Sequence, residues 1–337
     1  ALSLLLPALG WIALKLDLPE LRGIALALAA VVLVRLVFNP FVLDYHTDAF
    51  LGAHWVLYGY GVPAAAFYAA LQLFGRRGYT GSALEGGALA FALMTVSLEL
   101  RVLVEGAIDA PRFGLFEASL QSGVWLLAGW RRASAWAAEQ RDLDGYAAVI
   151  LIALGTACVL GVQVIEQNPL VTGDSVGRLA FVNVLALAYL LPGVIALLIA
   201  PVAPGWSRYA AGAAALGLML LWLSLETRHW FQGENLGFWR GASHGEMYTL
   251  SAAWLVFALA LWGLGALLRQ QLYRYGALAI LLLAALKVFL FDMADLDGLY
   301  RVASFLGLGL SLVSIGLLYQ RFIATPLPPP SPDRTAG

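Results

Sequence analysis

Two five-residue stretches hold the residues best equipped for chemistry. Ser97-Leu98-Glu99-Leu100-Arg101 and Ser224-Leu225-Glu226-Thr227-Arg228 both read S-L-E-x-R, and each closes a long apolar run. Ionised groups at that depth are costly unless they pair, meet water or act on a ligand. An arginine fork grips phosphate or carboxylate, and a glutamate accepts from hydroxyls. On a helix, residues two apart do not face each other, so neither motif can pair within itself. Spacing offers Arg101 an ion pair with Glu105, four residues on, where the second stretch has Gln232; it offers Glu226 a neighbour in His229. The glutamates' remaining partners are expected on other helices, with Arg178, Arg301 and Arg35 as available cations.

The candidate ligand-binding set is therefore Glu99, Arg101, Glu226, Arg228 and His229, with Glu117 and Glu246, each of which opens a helix. Two plainer roles compete. Charged groups in spans commonly tie helices together, and a first-turn carboxylate suits the helix dipole as a cap. A second cluster, Asp44, His46, Asp48 and His54, lies in a loop after an apolar run. Two acids and two histidines could bind a divalent metal or serve as acid and base, but their spacing fits no known metal motif. Neither a metal nor a cofactor is predicted. The single cysteine, Cys158, sits within an apolar run and excludes a disulfide framework. A late hairpin, Lys287 to Arg301, carries Asp292, Asp295 and Asp297 between two bases, and Lys287 can snorkel toward that interface.

The elements that must position these groups are set by composition. Of 337 residues, 61% are hydrophobic and 12% charged, against about 25% charged in ordinary soluble domains. Too few charges exist to coat a soluble surface, so the class is a polytopic all-α membrane protein. The net charge of -1 gives no hint of nucleic acid. With about 20 apolar residues needed per crossing, the sequence predicts about eleven spans: 1–15, 22–43, 50–74, 84–105, 115–132, 145–165, 178–201, 208–228, 246–268, 273–291 and 301–322. Residues 325–337 form a proline-rich polar tail, expected to be disordered. The start at Ala1, without Met or a basic leader, reads as an opening inside a larger protein.

The polar punctuation repeats. Asn39-Pro40 recurs as Asn168-Pro169 and Tyr60-x-x-Pro63 as Tyr189-x-x-Pro192, both offset by 129 residues. The S-L-E-x-R pair and Gly106/Gly233 are offset by 127; Glu117, Ser122 and Trp125 recur as Glu246, Ser251 and Trp254 at 129. The expected organisation is a truncated span (1–21), a four-span repeat (22–144), a second (145–268), a two-span partial third (269–324) and the tail. An even number of spans makes the repeat parallel, with each copy entering the membrane in the same direction.

Lys and Arg favour cytoplasmic loops. Twelve of the 20 fall on the odd-numbered connections and the tail, eight on the other side, which predicts a cytoplasmic C-terminus. Fourteen of the acids and all four histidines fall opposite, so one face is chemically equipped.

The run KVFLFDMADLDGLYRVASFLGLGLSLVSIGLLYQRF from Lys287 to Phe322, the segment W-L-S-L-E-T-R-H-W-F around Glu226, and the runs R-L-V-F-N-P and Y-G-Y-G-V-P resemble an uncharacterised bacterial membrane-protein family, domain of unknown function 2339. The resemblance implies a many-span protein of which this chain is the C-terminal portion. It carries no activity and no catalytic residue. The expected function is thus a bacterial inner-membrane protein of the cell envelope, binding a polar or sugar-bearing ligand in an outward acidic and histidine-lined cleft. Alternatives are group transfer on a lipid-linked envelope substrate, with Asp44, Asp48 or Glu226 as base, and a scaffold for partner membrane proteins; a transporter fits less well. Membrane lipids are the expected surroundings.

Overall fold

The computed structural model describes residues 2–38, 55–268 and 271–292 and scattered positions between 306 and 317; the loop cluster Asp44, His46, Asp48 and His54, the hairpin acids Asp295 and Asp297, and the tail lie outside them. Every regular element among the described residues is helical, apart from one isolated bridge between Ser175 and Asn235. Five helical segments are long and apolar enough to cross a membrane: Gly78–Glu105, Asp142–Thr172, Ser207–Gln232, His244–Leu267 and Gln271–Leu290. Their large apolar side chains face outward as well as inward, as in Leu103, Val149 and Val256. That distribution suits a helix whose solvent is lipid.

The chain divides into two compact units, residues 1–168 with 186–208, and residues 169–185 with 209–337. The first unit holds α1 (Leu5–Leu16), α2 (Leu21–Val37), α3 (Val62–Phe74), α4 (Gly78–Glu105), α5 (Leu115–Glu139) and α6 (Asp142–Ala157). Its core joins Leu6, Phe67, Leu71, Leu84 and Phe91. Small residues set the closest approaches. A Cβ on Gly129 would lie 2.7 Å from the Ile152 side chain, and one on Gly155 would lie 2.6 Å from Leu126, so α5 and α6 touch where only glycine fits. The second unit contains α7 (Pro169–Thr172), α9 (Ser207–Gln232, whose first residues belong to the first unit), α10 (His244–Leu267) and α11 (Gln271–Lys287). Its apolar cluster is Ala258, Leu261, Ala277 and Ile280.

The expected span 178–201 is only partly helical. Helix begins at Val184, widens into a π turn at Ala186–Leu190 and continues as α8 (Leu191–Ile199) in the first unit, and an irregular stretch precedes it. Asn183 explains the boundary, because its Oδ1 accepts from the Leu185 N–H and so caps the helix that starts after it. The span expected at 115–132 continues to Glu139 and carries Arg131 and Arg132 in its last turns.

A π turn also precedes α3, at Leu57–Gly61, where the Val62 N–H reaches back five residues to the Leu57 carbonyl. These two π turns each lie just before a proline, Pro63 or Pro192. Proline lacks an N–H and crowds the carbonyl four residues earlier. Widening the turn relieves that crowding while keeping the backbone bonded.

Candidate functional site

Each S-L-E-x-R arginine sits in the last turns of a long helix that a glycine terminates. Gly106 ends α4 with φ 80°, and its N–H bonds the Val102 carbonyl at 2.9 Å. Gly233 follows α9 with φ 75° and bonds His229 O at 2.9 Å. Glycine tolerates this left-handed conformation, so the chain turns sharply back toward the next helix. That return places a loop carbonyl and the next helix's first-turn glutamate within reach of the arginine.

In the first unit, Arg101 Nη1 donates to both Glu117 carboxylate oxygens at 3.0 Å. Nε donates to Ile108 O at 2.6 Å and Nη2 to Ala110 O at 2.5 Å. The Phe113 ring lies 5.9 Å from the guanidinium, an additional cation–π contact. Glu117 is 0% exposed. The sequence expectation of an Arg101–Glu105 pair is replaced by this longer connection, because the turn at Gly106 folds α5 against the arginine. Behind the pair, Gln121 Nε2 donates to Ser97 O at 2.7 Å and Trp125 Nε1 to Ser97 Oγ at 3.2 Å.

The second unit has the same parts. Arg228 Nη1 donates to Glu246 Oε1 at 2.7 Å, Nε to Leu236 O at 2.8 Å and Nη2 to Gly237 O at 2.9 Å. Trp254 Nε1 donates to Ser224 Oγ at 2.9 Å. Gln232, at the position of Glu105, adds a bond to Glu246 Oε2 at 2.8 Å. Ser243 caps α10 by accepting from the Glu246 N–H at 3.1 Å, so Glu246 is a first-turn acid whose carboxylate serves the arginine.

The motif glutamates point away from these arginines. Glu226 Oε1 accepts from the Phe181 N–H at 2.7 Å, and Asn183 Nδ2 donates to Glu226 Oε2 at 3.0 Å. His229 Nδ1 lies 3.4 Å from Glu226 Oε1, as spacing predicts. Glu226 therefore anchors the irregular stretch 173–183, a role for which Asn183 gave no advance signal. Arg178, suggested as its partner, pairs instead with Glu234 at 3.0 Å. Hydrogen bonds from Ser175 and Arg178 hold the exposed Glu234 carboxyl below its ordinary pKa. Glu99 is half-buried on α4, and each of Arg101's three nitrogens is directed elsewhere. Lys287 donates to Met247 O at 3.0 Å and Ser251 Oγ at 2.7 Å on α10.

Sequence reasoning missed one cluster. At the opposite end of α4 and α5, Arg132 Nη1 bonds Glu85 Oε1 at 2.8 Å and Asp144 Oδ1 at 2.7 Å. Arg141 bonds the other Glu85 oxygen at 2.6 Å and approaches Asp144 at 3.5 Å. Asp144 is 1% exposed, in the first turn of α6. Glu85's partners lie 47 and 56 residues away, too far for any local pattern to link them.

A cavity of about 430 Å³ lies between α9 and α10, with Arg228, Glu246, Ser224 and Thr227 on an otherwise mostly apolar wall. Among the described residues, no group of three or more His, Cys, Asp or Glu is placed to hold a metal ion. The arrangement can fix loops, bind a polar group beside Arg228, or both.

No curated protein and no solved structure matches the chain. A family model does, over nearly the whole length and not only in the last third, where the resemblance was densest. The chain belongs to the family described as Predicted membrane protein (DUF2339), whose model matches residues 1–322.

Proposed function

We propose that this is a multi-pass protein of the bacterial inner membrane, acting in the cell envelope as a braced scaffold. In this reading the S-L-E-x-R arginines are structural clamps that hold each helix–loop–helix joint. One observation carries it: every guanidinium nitrogen of Arg101 and of Arg228 is already bonded within the protein. An arginine committed in three directions has little left for a ligand.

The same bonds support a tandem organisation. Arginine to glutamate, arginine to two loop carbonyls, and tryptophan to serine recur at offsets of 127 and 129. Cys158 and Lys287, 129 apart, donate to the carbonyls of Ala118 and Met247, also 129 apart. We read this as parallel four-span repeats over 22–144 and 145–268, with 269–324 opening a third against the second. The count of about eleven spans and a cytoplasmic C-terminus follow from that register and from the Lys and Arg bias. Other envelope membrane proteins are the partners such a scaffold would serve.

The test separates bracing from binding. Glu117→Gln and Glu246→Gln are each expected to lose about 3 kcal/mol of stability, as for a broken buried pair, with cellular abundance falling in parallel. Variants that keep wild-type stability in detergent yet lose a deletion-complementing phenotype would overturn the proposal. A second reading is favoured by the cavity beside Arg228 and Glu246, which suits a polar or sugar-bearing ligand attached to an apolar group. Group transfer with Glu226 as base has less support, since both its oxygens accept hydrogen bonds.

A further inference from the structure

The first unit holds a cavity of about 270 Å³ that the clamps do not use. At about 30 Å³ per water it has room for roughly nine waters, enough for a compact polar group and the start of a chain. Aliphatic side chains of α2, Val31 and Val32, line part of it, and Trp55, Tyr58, Tyr60 and Phe91 line another part. Arg35, in the last turn of α2, also lines it. Among the described residues Arg35 makes no ion pair and no hydrogen bond, unlike Arg101, Arg132, Arg141, Arg178 and Arg228. The π turn at Leu57–Gly61 contributes to the wall, and Gly59 is required there: a Cβ would lie 2.8 Å from the Trp55 ring. Such turns are frequent at functional sites.

The tandem register proposed above separates structure from function at this cavity. Tyr60 and Pro63 have counterparts in Tyr189 and Pro192, and both prolines follow a π turn. Arg35, Trp55 and Tyr58 correspond to Val164, Val184 and Leu187, and Phe91 to Leu218. What the two copies share serves the turn. What only the first copy has is a cation and three aromatic rings, all facing one cavity.

We propose that this cavity binds the phosphate of a membrane lipid, with Arg35 holding the phosphate and the apolar wall taking the proximal part of the chain. An unpaired guanidinium presents a fork matched to phosphate oxygens. Tyr and Trp, apolar in body and polar at one edge, suit the junction between headgroup and chain.

The full chain in detergent micelles with excess phosphatidylcholine is titrated with phosphatidic acid, and bound lipid is counted by native mass spectrometry. One phosphatidic acid per chain is expected, with retention falling about tenfold in Arg35→Met and less in Arg35→Lys. Arg35→Met is expected to keep wild-type stability in detergent, because among the described residues the guanidinium makes no ion pair and no hydrogen bond. Arg22→Met, an exposed arginine outside the cavity, is expected to behave as wild type. Inorganic phosphate is expected not to displace the lipid. The proposal fails if Arg35→Met retains lipid normally or if Arg22→Met loses as much. It also fails if inorganic phosphate alone binds equally well, since the apolar wall would then contribute nothing.

Discussion

The two units treat their helix ends differently. At the S-L-E-x-R end, both use an arginine, a first-turn glutamate, two loop carbonyls and a tryptophan–serine bond. At the opposite end the first unit joins buried Glu85 and Asp144 to half-buried Arg132 and Arg141 in one network. The residue 129 after Arg132 is Leu261, which the second unit packs with Ala258, Ala277 and Ile280. Two chemistries thus join helices in one chain. Charges give directional bonds with a desolvation cost, and apolar packing gives contact without that cost. A charge network holds only while it is complete, so the largest effects are expected where it loses one member.

Arg132→Met should be the most damaging single change, at about 3–5 kcal/mol, because it leaves Glu85 and Asp144 sharing one cation. Replacing all four charges together, with Glu85→Leu, Arg132→Met, Arg141→Leu and Asp144→Leu, should recover most of that loss by imitating the second unit. Denaturant titration followed by tryptophan fluorescence compares the two. A quadruple variant no more stable than Arg132→Met would mean the charges do something that packing cannot.

One difference between the clamps, Glu105 against Gln232, should be measurable. Gln232→Ala removes a bond to Glu246 and should cost about 1 kcal/mol. Glu105→Ala, at the matching position, should fall within about 0.5 kcal/mol of wild type. Equal costs would show that Glu105 supports its clamp by a route other than Arg101.

How much of this was legible in the sequence follows from chain distance. Helical spacing correctly excluded pairing within S-L-E-x-R and correctly paired Glu226 with His229, because both are local rules. The first-turn positions of Glu117 and Glu246 were also readable from the sequence. Their service to Arg101 and Arg228 was not, since it depends on how Gly106 and Gly233 turn the chain across the intervening loops. Arg132 and Arg141 looked like ordinary basic loop residues beside Arg131, which is exposed. Nothing in a one-dimensional pattern marks which of two adjacent arginines turns inward toward a glutamate 47 residues away.

The smallest effect concerns the stretch 173–185, for which only the second unit has a described example. Glu234 is ionised more readily in the folded protein than its ordinary value implies, owing to Ser175 and then Arg178. Its contribution is therefore complete above the unfolded pKa of about 4.3 and is lost as pH falls through the lower folded value. Hydrogen exchange at Val176 and Val184 should be unchanged between about pH 6 and 8 and should quicken, after correction for intrinsic rates, only below about pH 4. A change near neutrality would contradict this account.

The central claim is that the motif arginines brace rather than bind, and a double-mutant cycle on Arg228 and Glu246 tests it most directly. Arg228→Met, Glu246→Gln and the double variant are compared with wild type for stability in detergent. The account predicts a coupling of about 2 kcal/mol, within the range for contacting residues. Coupling indistinguishable from zero, with each single variant as stable as wild type, would contradict it.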